Sequence, residues 1–455
     1  VQAALSSLCP RARTSLRGHL DRDPPPEIWC HNQNRNAWFL EERPMPASRR
    51  TVLSAALAAA AIPRFPALAQ SPDVIRIGVL TDLSGNYRDV TGPTSVACAQ
   101  LAVDEFTAAN PGIRVELMSG DHLNKPDVAA SIARQWFDQS GVDVITDVGN
   151  SAAAIAVTTI AHDKDRIHLN SAAGSSELTG KYCSPNLIHW TYDTWALAHT
   201  MVKALVGRGG DKWYFITADY TFGHSIQNDT TGLLTASGGK VVGSSTYPFP
   251  GTTDFSSYLL AAQASGANVI ALANAGDDLI NCVKQLREFG MAGGGLSVAA
   301  MVGSITAVTG AGLETMQDVN LAECFYWDEN DRTRTFMSRV KPRLLPGVFP
   351  NEVHAGAYAA VTHYLKTVKL LGVPKAKSSG RESVAAMKAM PTDDDCFGAG
   401  AIRADGRTIH PCYLFKVKRP ADSHYRGDFF TRLATIPTDD AFRPISEGGC
   451  PMIHA

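Results

Sequence analysis

The stretch that most constrains this chain is 142–179, which sets two strand–loop–helix units end to end. Residues 142–148 form a short β-branched run with the character of a buried strand. It breaks at Gly149-Asn150-Ser151, and the small residues of 152–160 then read as a helix. The next strand, 166–170, runs into Ser171-Ala172-Ala173-Gly174-Ser175-Ser176. Each loop puts small and hydroxyl residues at the carboxyl end of a strand and the start of a helix, where unpaired N–H groups and the positive dipole end favour an anion. In parallel α/β sheets ligands bind at that edge. Together the two loops point to a pocket for a small carboxylate. Taken singly, Ser151, Ser175 and Ser176 read first as helix N-caps.

The alternation extends in both directions. Upstream, 74–80 is a strand, 81–87 its loop, 96–106 a helix, 113–118 an alternating strand and 128–137 a helix. This βαβα order predicts a parallel sheet covered on both faces. The aromatic stretch 186–198 changes character and reads as a crossing into a second domain. There the pattern restarts with strands at 213–217, 241–243, 268–273 and 296–302 and helices before 237 and over 277–289. Residues 323–327 read as a crossing back, 353–371 as a helix of the first domain and 377–381 as a polar linker. Ala404-Asp405-Gly406-Arg407 reads as a turn between paired strands at 398–403 and 413–418.

A length of 455 residues suits about two domains. The net charge is −2, with no basic cluster on an aromatic stretch, so nucleic acid is not expected as a partner. No apolar run reaches the roughly 18 residues of a membrane span. The nine cysteines show neither CxxC nor Cys/His spacing, which signals no metal and no cofactor.

Residues 1–44 lack periodicity and read as an upstream extension. Residues 45–69 carry Arg49-Arg50, an apolar 52–62 and Ala67-Leu68-Ala69, the three parts of a signal peptide starting at Met45. Ser48-Arg49-Arg50-Thr51 resembles a twin-arginine signal, and the general secretory route fits as well. Either route predicts a mature protein in the periplasm.

An export signal, two restarted α/β domains and several crossings resemble the type I periplasmic solute-binding proteins, in the leucine/isoleucine/valine-binding branch that serves ABC importers. The resemblance covers about 74–450. It rests on 77–85, Val148-Gly149-Asn150-Ser151, 171–179, 219–223 and 398–406 in that order. It implies an α/β fold of two doubly wound parallel-sheet lobes joined by a multi-crossing hinge, with lobe 1 at 74–190 and 328–390 and lobe 2 at 191–327 and 391–446. It also implies a monomer that captures a small carboxylate in the interlobe cleft, docks on an inner-membrane ABC permease and performs no catalysis.

Carried over by position, the resemblance assigns ligand contacts to Ser84, Tyr87, Asn150, Ser151, Ala172, Ala173, Gly174, Trp190, Tyr220, Phe222, Asn274 and Ala275. Ser151 matches the hydroxyl that holds a ligand carboxylate. Two positions depart from amino-acid binders. Gly174 stands where a threonine is usual, and Met301-Val302-Gly303-Ser304 lacks the acid that faces a ligand ammonium. Asp193, Asp277 or Asp278 could replace that acid if the fold turns one inward. With His189-Trp190-Thr191-Tyr192-Asp193 and Phe222, the pattern resembles a subgroup that binds aromatic acids. For Trp190 and Tyr192, packing at the hinge is an equal reading.

The alternatives are a branched-chain or other amino-acid binder and, more remotely, a serine hydrolase, since Gly149-Asn150-Ser151-Ala152-Ala153 follows a strand and precedes a helix. The last glycine of the GxSxG elbow is missing from it. A receptor's sensing domain would need a membrane helix. Of the cysteines, Cys183 and Cys450 stand beside Pro185 and Pro451 in loops read as exposed, and are the expected disulfide.

Overall fold

The computed structural model describes residues 74–291 and 295–453, all within one compact unit, Gln70–Ala455. The expected upstream extension and signal peptide lie outside the described residues.

The first sheet contains β1 (Val74–Thr81), β2 (Arg114–Asp121), β3 (Val144–Asp147), β4 (Ile167–Asn170) and β5 (Leu187–His189). Their order is β2-β1-β3-β4-β5 and every pairing is parallel. β3 and β4 are buried at every residue, as central strands covered on both faces must be. The helices Gly92–Ala109, Pro126–Gln135 and Ser151–Asp163 make the crossovers, the first two with proline in their first turn, where a missing N–H costs nothing. Helix Glu352–Leu371 returns to this lobe, started by a capping box at Asn351, and packs against Gly92–Ala109.

The second sheet begins with β6 (Lys212–Ala218), β7 (Lys240–Tyr247), β8 (Val269–Ala273), β9 (Ser297–Ala300) and β10 (Asn320–Glu323). Three short strands follow, β11 (Thr392–Asp394), β12 (Gly398–Ile402) and β13 (Thr408–Ile409), and then β14 (Cys412–Val417) and β15 (Phe430–Ile436). The order β15-β14-β10-β9-β8-β6-β7 is parallel from β7 to β10 and antiparallel at β14 and β15. The short strands form their own antiparallel sheet beside β5, where His189 N donates to Gly406 O at 2.9 Å. The chain passes between the lobes at 190–193, 324–327 and 410–411.

Three readings are corrected here. The turn at 404–407 is real, but β12 pairs with β13 and not with 413–418. Pro411 has no N–H to extend that ladder, and beyond it β14 pairs with β10 and β15. Residues 377–381 are not a linker. Lys377 and Ser378 end helix Val373–Ser378, and Ser379 caps Gly380–Ala389. Lys377 Nζ reaches Asp143 Oδ2 at 2.6 Å and Val74 O at 2.7 Å, so its charge pins this helix to the first sheet. Glu323 ends β10 and does not begin the crossing.

Cys183 and Cys450 are bonded, with Cα atoms 5.6 Å apart at a sequence separation of 267. Cys450 is buried and not exposed, because the chain after β15 folds back over the loop that follows β4.

Candidate functional site

The facing loops of the two sheets meet at the carboxyl ends of their parallel strands. In the first lobe, buried Asp82 gathers the N–H groups of Gly85 at 2.7 Å, Tyr87 at 2.9 Å and Ser84 at 3.3 Å. This local turn aims Tyr87, Val90 and Thr91 inward. After β3 the backbone bends sharply, with φ of 79° at Asp147 and 61° at Val148. Non-glycine residues rarely adopt that region, and the bend delivers Gly149 against Thr91, where a Cβ would stand 2.8 Å from Thr91 Cγ2. The β4 loop is fixed by Asn170, whose side chain accepts from Ala173 N at 2.9 Å and donates to Ala173 O at 2.7 Å. Tyr192 O–H donates to Ala172 O at 2.8 Å, which lays its ring along Gly174.

The second lobe contributes rings. Tyr220 stacks on Phe249 with centroids 4.5 Å apart, and Phe222 lies 5.9 Å from Tyr220. Phe249 also stacks on Tyr87 of the first lobe at 5.4 Å. Protein–protein contacts span the cleft: Tyr87 Oη to Tyr220 Oη at 2.6 Å, Asn86 Nδ2 to Asp278 Oδ1 at 3.0 Å, and Ser176 Oγ to Asp229 Oδ2 at 2.8 Å. Between the lobes remains a narrow recess of about 10 Å³, scarcely the room of one water molecule.

Six of the expected ligand residues line it: Tyr87, Ala172, Gly174, Tyr220, Phe222 and Ala275. The others lie elsewhere. Ser84 is exposed and donates to Asp121 Oδ2 at 2.6 Å. Asn150 caps helix Ser151–Asp163 by accepting from Ala153 N at 3.1 Å. Ser151 is buried behind the lining, where its Oγ accepts from Ser175 N at 3.2 Å and so ties the two loops together. Ala173 belongs to the first lobe's core. Trp190 is buried and packs on His363 with ring centroids 5.4 Å apart. Asn274 is buried against Cys282. Not foreseen as contacts were Val90, Thr91, Gly149, Tyr192 and Val302. The aromatic run had marked Tyr192, and the strand break had marked Gly149.

Among the described residues, no charged side chain lines the recess. The three acids that could have faced an ammonium are committed or turned away. Asp278 accepts from Asn86 and from Tyr247 O–H at 2.8 Å; burial pushes its carboxyl up to about 6, against the lowering pull of the Tyr247 hydroxyl. Asp193 caps Ala196 N at 2.8 Å and faces Arg407 Nη1 at 3.4 Å. Asp277 is exposed. Burial also holds the Tyr87 and Tyr220 hydroxyls well above their ordinary range, so both remain neutral. The lining is therefore apolar and uncharged, and a solute-sized body would need the lobes to part before it could enter.

A family model described as periplasmic binding protein matches residues 74–423. The chain belongs to the periplasmic binding protein family. Among solved structures, a periplasmic binding protein from Burkholderia mallei is 37% identical, with TM-score 0.78, over 84% of this chain and 100% of that one. A branched chain amino acid ABC transporter periplasmic ligand-binding protein from Burkholderia xenovorans is 38% identical, with TM-score 0.74, over 83% and 99%. A solute-binding protein of an ABC transporter from R. palustris, solved with benzoate, is 18% identical with TM-score 0.70 over 80% and 97%, a likeness of fold alone. The Leu/Ile/Val-binding protein homolog 4 of Brucella abortus is 23% identical over 257 residues, 54% of this chain. The match spans 61% of that relative's length. No described helix of this family member is long and apolar enough to cross a membrane.

Proposed function

We propose that this chain is the solute-capturing component of an ABC importer, and that its solute is a small aromatic carboxylate held between the lobes. The observation that carries this reading is the lining: four aromatic rings or ring edges from Tyr87, Tyr192, Tyr220 and Phe222, with no charged group. An ammonium buried there would lack a partner, and an unpaired buried charge costs several kcal/mol. A carboxylate can instead be met by N–H groups. The first turn of helix Ser151–Asp163 leaves some unpaired, beside Gly149 of the lining. Charge-assisted bonds of this kind contribute roughly 1.5–3 kcal/mol each. The benzoate complex of a structural neighbour supports the choice of solute.

Catalysis has little support at this site. Ser151 Oγ meets a backbone amide, not a histidine or a carboxylate, so no described side chain serves it as a base. The likeness to the B. xenovorans protein favours the second reading, a branched-chain amino acid. Calorimetry separates the two. The expected result is micromolar binding of benzoate-type or hydroxycinnamate-type acids and none of leucine or valine. Binding of a branched-chain amino acid with no response to any aromatic acid overturns the choice of solute while leaving the transport role intact.

A further inference from the structure

A cysteine opens one passage between the lobes and another follows a second passage directly. Cys324 follows β10 directly, and Cys412 opens β14 immediately after Pro411. The register Glu323↔Tyr413 sets them face to face across an antiparallel pair. At this position the backbones exchange no hydrogen bond, because Cys324 N donates to Glu352 Oε2 at 2.7 Å instead. Such non-hydrogen-bonded pairs bring Cα atoms to about 4.5 Å, inside the roughly 4.4–6.8 Å that a disulfide bridges. The sulfurs lie 2.8 Å apart, whereas non-bonded heavy atoms rest at about 3.5–4.0 Å. Both residues are buried, with 2% and 0% of their surface exposed.

We infer that Cys324 and Cys412 form a second disulfide, which ties two hinge passages to each other at the root of the cleft. His410 lies close enough for the three to suggest a metal site, but the geometry favours the covalent pair. Two thiolates on one tetrahedral zinc stand about 3.7 Å apart, given zinc–sulfur bonds of about 2.3 Å. The His410 nitrogens are placed at backbone carbonyls, Nε2 at 3.0 Å from Trp190 O and Nδ1 at 3.3 Å from Pro411 O. The oxidant is an external disulfide. One thiolate attacks it and releases a thiol; the second thiolate then attacks the mixed disulfide and releases the other thiol, so two thiols are oxidised and one disulfide is reduced. Burial pushes the Cys324 thiol up, so exchange belongs to the folding chain, before these strands close over the pair.

The test is to refold the full chain in a buffer of reduced and oxidised glutathione, alkylate it under denaturing conditions without reductant, and map the peptides by mass spectrometry. The expected result is a Cys324–Cys412 linked peptide and near-zero alkylation at both positions, beside the Cys183–Cys450 link. The same link should persist in a Cys183→Ala, Cys450→Ala variant. Full alkylation of Cys324 and Cys412 in a sample whose Cys183–Cys450 link has formed overturns the inference. So does stoichiometric zinc whose removal by a chelator is what exposes the two thiols.

Discussion

The two walls of the cleft are built on opposite principles. The first lobe presents, beside the Tyr87 ring, small residues and turns at Gly149, Ala172 and Gly174, whose value is the backbone they leave uncovered. The second lobe presents ring surface from Tyr220 and Phe222. One wall is therefore damaged by adding atoms and the other by removing them. Under the proposed function, an apolar wall on one sheet and a backbone-lined wall on the other would orient a solute with a polar head and a flat body.

The sharpest break in that contrast is Gly174→Val. A Cβ there would stand 2.6 Å from Tyr192 Cε2 and 3.3 Å from Phe222 Cε2, so it fills the space meant for solute. Calorimetry should show no binding, while thermal unfolding shows a folded protein destabilised by about 1–3 kcal/mol. Next in size is Phe222→Ala, which strips the apolar wall. Affinity for an aromatic acid should fall by about 2–3 kcal/mol, from lost burial and lost ring contact; an unchanged dissociation constant places the ring elsewhere.

Ser151→Ala sharpens the comparison from the polar side. Ser151 lies behind the lining, so the substitution acts by freeing Ser175 N and loosening the loop that carries Gly174. A loss of about 1–2 kcal/mol is expected for a carboxylate solute and its primary amide analogue alike. Unequal losses for the two solutes mean that Ser151 does more than tie the two loops. The smallest effect concerns Asp278. Burial raises its carboxyl from 3.8 to about 6, so the folded protein holds that proton more tightly than the unfolded chain. Its contribution to stability is full below about pH 4 and is lost as pH rises through 6. Asp278→Asn should remove this slope, raising stability at pH 7 relative to pH 5 by about 1–2 kcal/mol against the unmutated protein. Parallel melting curves for the two proteins count against the assignment.

The parallel strands were legible because β8 is a continuous apolar run and 142–148, around β3, a β-branched one, both strands buried throughout. The recess lining was legible where a strand break carried it, as at Ala172 and Gly174. What stayed hidden depends on distant contacts. Asn150 and Ser151 are adjacent, yet one caps its own helix and the other joins a neighbouring loop. Arg407 looked like a turn residue. It is fully buried, with its guanidinium donating to Thr191 O and lying 4.6 Å from the Phe442 ring centre. No local pattern announces a charge that donates to a carbonyl more than two hundred positions upstream. Val90 and Thr91 enter the recess because Asp82 folds their loop inward, an effect of three hydrogen bonds and not of residue type.

The hydroxyl contact between Tyr87 and Tyr220 and the amide–carboxyl contact between Asn86 and Asp278 are made by the protein alone. They favour closing by the same amount whatever solute lies between the lobes. At about 0.5–1.5 kcal/mol each, the two together shift the ratio of closed to open molecules by roughly 5- to 150-fold. That share is blind to chemistry, so all discrimination between solutes falls to the recess itself. Strengthening the latch would tighten binding of right and wrong solutes alike and would raise the fraction of molecules closed on nothing. The tyrosine pair thus sets an exchange between how tightly a solute is held and how faithfully closure reports that one is there.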